Sequence, residues 1–404
     1  MMTKTTRAKV LRLLSAVALA MLLSSCGSGS GRPGEAVAPL DENDVTRWPM
    51  FRGNAASTGV AACALPEDLT LCWTCQTGSA IQSTAAIVGD TVFVGTDYDG
   101  VLALDLATGE VRWRYPLEEA VVAAPCVADG RVFFGDLSGM FYAVDARTGE
   151  RVWEFETYDK IIGGANVTGA NVVVGSYDNF VYCFAREDGS VTWKREADDS
   201  VNGSACVYDG QVVVVDCDGI LRWIDDETGE ETGTVALVKD VGATPAYRDG
   251  RVYVVTYTGR VFCVDAVGRM IVWEQQVKSG ADFTAPSVAV TERLVIVGDS
   301  SGRVRALDVI TGEFRWTFRA RDGVESSPVV SGGRVYVGSR DGHVYGLDLA
   351  SGEKVWEFVA GGEVSASAAI ARGRLVISNS DGAVYCFGGR AKAVGDARSP
   401  ETSR

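Results

Sequence analysis

One short sequence returns along this chain and constrains its architecture more than any other feature. ALDLATGEVRW (103–113) reappears as AVDARTGERVW (143–153), CFAREDGSVTW (183–193), CVDAVGRMIVW (263–273), ALDVITGEFRW (306–316) and GLDLASGEKVW (346–356). The central position falls at Asp105, Asp145, Ala185, Asp225, Asp265, Asp308, Asp348 and Gly388. Six of the seven intervals are 40 residues and one is 43. A period near 40 without helical spacing means a propeller or another all-β array.

Each unit reads alike. Val122–Val127 opens one; the turn Ala128-Asp129-Gly130 precedes the apolar run Arg131–Phe134. Asp136-Leu137-Ser138-Gly139 is a second turn, followed by Met140–Val144, the Thr148-Gly149 turn and Arg151-Val152-Trp153. Four strands joined by hairpin turns make one twisted blade. Counting 40 back from Trp113 reaches Trp73, inside the string CWTC (72–75). The last unit, from Cys386, stops before any Trp. Residues 70–75 are therefore predicted to complete the eighth blade, closing the ring and removing exposed sheet edges. In an extended strand, residues three apart lie about 10 Å apart and face opposite ways. Cys72 and Cys75 then cannot form a disulfide with each other, whereas a bridge from either to Cys63 stays open.

The A-x-D-x-x-T-G-x-x-x-W pattern resembles the tryptophan-docking motif of eight-bladed quinoprotein-dehydrogenase-type propellers, over roughly residues 70–390. The resemblance implies that each indole (Trp73, Trp113, Trp153, Trp193, Trp273, Trp316, Trp356) stacks near the small residue that begins its motif and locks blade to blade. The fourth unit departs. WIDDETGEETG (223–233) ends in Gly233 and begins with Trp223, so Trp223 is expected to fill the volume of the missing indole. Trp48-Pro49-Met50-Phe51-Arg52-Gly53 resembles an opening that precedes bacterial propellers of this type, and Trp48 and Phe51 are expected to pack on the ring.

The ends are of another kind. Lys4, Arg7, Lys9 and Arg12 precede the apolar run Leu13–Leu23, which is too short for a stop-transfer span. Leu23-Ser24-Ser25-Cys26 resembles a bacterial lipobox, implying cleavage before Cys26 and a lipid on it. The organisation read from sequence is a lipoprotein signal peptide at 1–25, a flexible tether at 26–47, an arm at 48–69, the propeller at 70–390 and a disordered tail at 391–404. Loss of residues 1–25 removes four basic residues, leaving 34 basic against 53 acidic, a net charge of −19. Nucleic acid and anionic lipid surfaces are poor partners for such a chain.

Little catalytic chemistry is available. The only histidine, His343, is expected at an exposed strand edge, without a role. Gly298–Gly302 matches G-x-S-x-G but reads as a hairpin turn, and Gly29–Gly34 matches G-x-G-x-x-G inside the tether. Nine cysteines remain beyond Cys26, most of them in small-residue slots, and read as buried hydrophobes. Quinone-dependent relatives carry adjacent cysteines and long pocket-building insertions; this chain has no Cys-Cys pair and consists of nearly bare repeats. No catalytic, cofactor-binding or metal-binding residue is assigned.

One asymmetry stands out. The loops expected on one propeller face hold about nineteen acidic and five basic residues. Glu119, Asp159, Asp199, Asp240 and Asp322 lie between blades, and Asp97, Asp99, Asp216 and Asp218 in hairpin turns. Three readings are open: Asp simply suits turns, a basic partner segment docks here, or Asp97-x-Asp99 and Asp216-x-Asp218 hold cations.

Length, lipobox, repeats and ring closure together resemble the propeller lipoprotein of the outer-membrane β-barrel assembly machinery. That resemblance implies a monomeric, non-enzymatic scaffold of the cell envelope, on the periplasmic face of the outer membrane if the source is Gram-negative, with a barrel-assembly subunit or basic segment as partner. The alternatives are a propeller that binds or senses a small ligand in its central channel and a quinone-dependent dehydrogenase.

Overall fold

The computed structural model describes residues 44–277 and 286–389. The expected signal peptide, Cys26, most of the expected tether and the expected tail lie outside the described residues. Those described form eight antiparallel sheets, the blades of a propeller, and no helix.

Blade 2 shows the pattern: Cys126–Ala128 innermost, then Arg131–Gly135, Met140–Asp145 and, outermost, Arg151–Glu156. The two middle strands are buried on both faces, because a neighbouring blade stacks on each side. They therefore read as continuous Val, Phe and Tyr runs rather than as alternating ones. The outermost strand has one buried residue, Trp153, among exposed and half-buried neighbours. Blade 8 is assembled from both ends of the propeller. Thr70–Gln76 pairs antiparallel with Ala383–Gly388, and Trp73 stands opposite Cys386. The ladder shifts register between Leu71 and Trp73, which leaves Cys72 on a bulge with its thiol exposed. Cys75 is half-buried, and none of the nine described cysteines is bridged.

Seven blade junctions share one fastening. Each indole begins opposite the small residue of its own blade, as Trp113 opposite Ala103 and Trp193 opposite Cys183. Its Nε1 then donates to a carbonyl of the next blade: Trp73 to Leu106 (2.9 Å), Trp113 to Ala146 (3.0 Å), Trp316 to Leu349 (2.9 Å). In six of the seven the ring lies on the glycine of the next T-G turn. A Cβ at Gly109, Gly149, Gly189, Gly229, Gly312 or Gly352 would stand 2.5–2.8 Å from an indole carbon. These glycines also hold positive φ, so two requirements meet at one atom-poor position.

Between blades 4 and 5 both partners differ. Gly233 replaces the indole, and Arg269 occupies the slot that is glycine elsewhere, at φ +52°. Trp223 is the ladder partner of Gly233, only 1 % exposed, and it packs with Ala266 of blade 5. The Arg269 guanidinium lies 5.4 Å from the Trp223 ring centre and donates to Thr232 Oγ1 at 3.0 Å. A Cβ at Gly233 would overlap that guanidinium. The missing indole's space is thus filled from two sides, by Trp223 and by Arg269.

The segment before the ring closes one end of its channel. Val45 O accepts from Arg372 of blade 8, and Arg47–Trp48 adds a short strand to Ile87 and Val88 of blade 1. Pro49 O then accepts from Val127 of blade 2, and Ala55 O from Asn166 Nδ2 of blade 3 and Val207 of blade 4. Ala56, Thr58 and Gly59 carbonyls accept from Tyr247, Val290 and Val330 of blades 5, 6 and 7. Fifteen residues of backbone, 45–59, therefore touch all eight blades. Left-handed turns at Arg52, Gly53, Ser57 and Gly59 bend the segment so that its carbonyls point outward. Trp48, Met50 and Arg52 are each 1 % exposed. Arg52 Nη2 donates to the carbonyls of Val288 (3.0 Å) and Pro328 (2.5 Å), and burial brings its pKa down to about 9, which leaves it charged at neutral pH.

Candidate functional site

With one end closed, the central channel is a blind cup of about 210 Å³. Its floor is Phe51, whose ring has the Arg52 guanidinium 5.7 Å from its centre. Gly164 makes room for it: a Cβ there would lie 3.3 Å from that of Phe51.

The wall comes from one position of each repeat, two residues before the innermost strand. Around the ring it reads Thr84, Ala124, Gly164, Ser204, Thr244, Ser287, Ser327 and Ser367. Five links between them are hydrogen bonds from one blade's backbone N–H to the next blade's hydroxyl. Ser204 N donates to Thr244 (2.9 Å), Thr244 N to Ser287 (3.0 Å), Ser287 N to Ser327 (2.9 Å), Ser327 N to Ser367 (2.9 Å) and Ser367 N to Thr84 (3.1 Å). A hydroxyl that accepts one N–H keeps its own proton and a lone pair. Among the described residues no protein acceptor takes those protons, and each of these side chains is more than nine-tenths buried.

The mouth lies one step outward. Gln82 Nε2 donates to Asp97 (3.2 Å), and Asn202 Nδ2 to Tyr257 Oη (2.6 Å). Glu325 adds a carboxylate, with Arg340 outside it at 3.5 Å. Among the described residues no Lys or Arg lines the cup.

The mouth opens on the face that carries the acidic loops, since the loops at 95–100 and 77–85 and their equivalents are hydrogen-bonded together there. The nine acidic positions singled out above do not form one surface. Glu119, Asp159, Asp240 and Asp322 are exposed; Asp97, Asp99, Asp199 and Asp218 are half-buried. Asp99 pairs with Arg114 (3.0 Å), Asp218 with Lys239 (2.8 Å), and Asp97 takes Gln82, so the carboxylates of either D-x-D pair serve separate partners. Asp216 is a correction: it is fully buried and unavailable to a partner. Its Oδ1 accepts from Ile220 N (2.8 Å) and its Oδ2 from Arg222 Nη2 (3.1 Å), which satisfies the charge inside the blade. Asp136 and Asp299 are buried in the same way, against Tyr142 and Arg305.

His343 is a second correction, being 8 % rather than largely exposed. Its ring stacks on Tyr345, Nδ1 reaches Asp341 O at 2.9 Å, and Nε2 lies 3.4 Å from Glu357. The G-x-S-x-G string is the hairpin turn between Leu294–Gly298 and Arg303–Asp308, where Ser301 Oγ donates to Asp299 (2.5 Å). The arm's closure of the channel and the hydroxyl ring escaped the sequence reading. The ring had a signal, hydroxyl residues at the 40-residue period just ahead of each innermost strand.

An eight-bladed ring of near-identical repeats, fastened by indoles and closed by its own N-terminal strand, defines a PQQ-like propeller. Within that class the chain belongs to the family of the outer membrane protein assembly factor BamB, whose model matches residues 57–162, 138–232, 218–289 and 278–395. Among solved structures it is similar to BamB from Moraxella catarrhalis, with 21% identity, a TM-score of 0.69, and 80% of this chain and 99% of that one covered. It is also similar to the quinohemoprotein alcohol dehydrogenase from Comamonas testosteroni, with 16% identity, a TM-score of 0.74 and coverage of 89% and 82%. Both likenesses are of fold. A curated relative, the beta-alanine-activating enzyme of Mus musculus, is 26% identical over 98 residues, which span 22% of this chain and 8% of that enzyme.

Proposed function

We propose that this protein is a non-enzymatic scaffold of the bacterial cell envelope, anchored by a lipid on Cys26, whose propeller binds a protein partner during outer-membrane protein assembly. The family match across residues 57–395 carries this reading. The lipobox supports periplasmic placement at the outer membrane, and the exposed carboxylates Glu119, Asp159, Asp240 and Asp322 support a partner segment that is basic. The chain is expected to act as a monomer. A quinone cofactor suits the cup poorly. Pyrroloquinoline quinone is a polycarboxylate, and among the described residues the lining offers it hydroxyls and Glu325 but no cation.

The test is crosslinking in cells from photoreactive residues at positions 159, 240 and 322. Capture of a barrel-assembly subunit, reduced in high salt, is the expected result; reproducible capture of nothing from all three positions would defeat the scaffold reading. Cys26→Ser should release the chain from membranes. One observation favours a second reading, a small-ligand propeller: the cup is walled by hydroxyls whose protons find no protein acceptor among the described residues.

A further inference from the structure

We infer that a cleft between blades 6 and 7, on the face closed by residues 45–59, binds an anionic amphiphile: one apolar chain that ends in a carboxylate. This goes beyond the scaffold reading and does not depend on it.

The cleft exists because one residue breaks the repeat. The second strand begins with Arg131 in blade 2 and with Arg251 in blade 5. Each guanidinium crosses its junction to a carbonyl in the last turn of the next blade: Arg131 donates to Arg186 O (2.7 Å) and Arg251 to Val309 O (3.2 Å). In blade 6 the same strand begins with Leu294. The corresponding carbonyl, Leu349 O, accepts from Trp316 Nε1 and, among the described residues, from no arginine. The space an arginine fills elsewhere stays open, as a cleft of about 540 Å³. Its apolar walls are Val60, Leu294, Val330, Leu349 and Ala350, with Val60 and Val330 joined by a parallel bridge.

The charges beside these walls select the ligand's sign. Arg248, Glu292, Arg293 and Asp348 line the cleft. Asp348 is committed to its own turn, accepting from Ala350 N (3.0 Å), Ser351 N (2.8 Å) and Ser351 Oγ (2.9 Å). Arg248 is loosely held. Its acids, Asp249 and Glu292, stand 3.5 and 3.7 Å away and are 81% and 82% exposed, and its Nε is buried without a hydrogen-bond partner. Arg293 gives its backbone N–H to Thr291 Oγ1 (3.3 Å), but among the described residues no carboxylate lies within 4 Å of its guanidinium. The cleft between blades 1 and 2 differs, since there Arg112 is spent on Asp90 (3.0 Å), Thr91 (2.6 Å) and Asp105 (2.6 Å). Two guanidiniums whose N–H groups the protein leaves unused, beside apolar walls, fit a carboxylate on an apolar body. A peptide strand would bring N–H and C=O groups that such walls leave unpaired, whereas an alkyl chain brings none. The volume equals the liquid share of about eighteen waters, room for a chain of about ten carbons and its head.

The probes are octanoate, 1-octanol and octyltrimethylammonium, titrated calorimetrically into the full chain in phosphatidylcholine nanodiscs, with empty nanodiscs subtracted. Octanoate is expected to bind about tenfold tighter than the other two, and affinity to rise about fourfold per methylene from hexanoate to decanoate. Arg293→Gln should weaken octanoate about tenfold, the loss of one charge-assisted contact. Glu292→Gln, which removes the competing acid, should tighten it about threefold. Both side chains are exposed, so neither variant puts the fold at stake. Leu294→Arg restores the residue of blades 2 and 5 and should abolish binding by filling the cleft, although it adds a positive charge. Tighter octanoate binding by that variant would mean simple charge attraction and overturn the inference, as would equal binding of octanol. A blocked Leu-Leu-Asp peptide that binds tighter than decanoate would also overturn it and give the cleft to a protein segment.

Discussion

Blades 4 and 5 meet differently from every other pair, and the contrast separates what a junction needs from what it usually contains. At a standard junction an indole crosses to the neighbouring blade, lies on a glycine and hydrogen-bonds a carbonyl. At the exceptional one glycine and large residue have changed places twice: Gly233 with Trp223 across one ladder, and Arg269 for glycine across the junction. The volume is filled in both cases. The requirement is therefore close packing over the outer strand, and the indole is one way to meet it. The exceptional junction has a cost. Arg269 holds a left-handed φ without being glycine, and its Nε is buried with no partner among the described residues.

The largest effects should come from deleting the ring that fills each junction. Trp113→Ala and Trp223→Ala should each lower the unfolding free energy by about 3–5 kcal/mol, read from urea titration of the purified chain. A loss under about 1 kcal/mol for Trp223→Ala alone would mean that Arg269 fills the space unaided.

Next comes the conversion of one junction into the other. Gly233→Trp in the native background should destabilise by about 1–3 kcal/mol, because Trp223 and Arg269 already occupy its space. The triple change Trp223→Ala, Gly233→Trp, Arg269→Gly should recover most of that loss. The recovery is a coupling energy between touching residues and should exceed about 1 kcal/mol. Additive losses would show that the two junctions are not interchangeable solutions.

A smaller effect is expected from Arg269→Ala, about 1 kcal/mol. The variant loses the guanidinium over the indole but keeps the strained φ, since alanine is no better there. Trp223 is otherwise 1 % exposed, and its fluorescence should move to the red as water reaches it. An unshifted spectrum would place the cover of Trp223 elsewhere.

These comparisons also show which features the sequence exposes. The period, the blade count and the closing strand are legible because they repeat: Trp73 can be found by counting from Trp113. The exchange at Gly233 is visible as a break in the repeat, but its second half, Arg269, is hidden because the blade 5 motif otherwise ends normally in Trp273. The path of residues 45–59 is illegible for another reason. It is held by backbone carbonyls, which every residue has, so no side-chain pattern records it. The acidic face misled because a buried Asp and an exposed one look alike in a turn. What separates them is six residues further on. Asp136, Asp216 and Asp299 are followed by Tyr142, Arg222 and Arg305, which reach back to neutralise or cap the buried carboxylate.

The smallest effect distinguishes the two junction types by pH. Arg315 belongs to a standard blade, and its Nη2 donates to Asp308 at 2.7 Å. That hydrogen bond, with the N–H groups of the turn at Thr311 and Ile310, holds the Asp308 carboxyl down to about 2. The folded value lies below the unfolded one of about 3.9, so the contribution is complete above that value and disappears as the pH falls towards 2. The stability difference between the native chain and Arg315→Gln should therefore be present at neutral pH and shrink steadily on acidification. Arg269 offers the control. Its contacts are an aromatic face and a threonine hydroxyl, neither of which titrates in acid. The difference between the native chain and Arg269→Gln should stay level over the same range. If both differences shrink together, Arg269 is held by a carboxylate as well, and the two junctions are more alike than their sequences say.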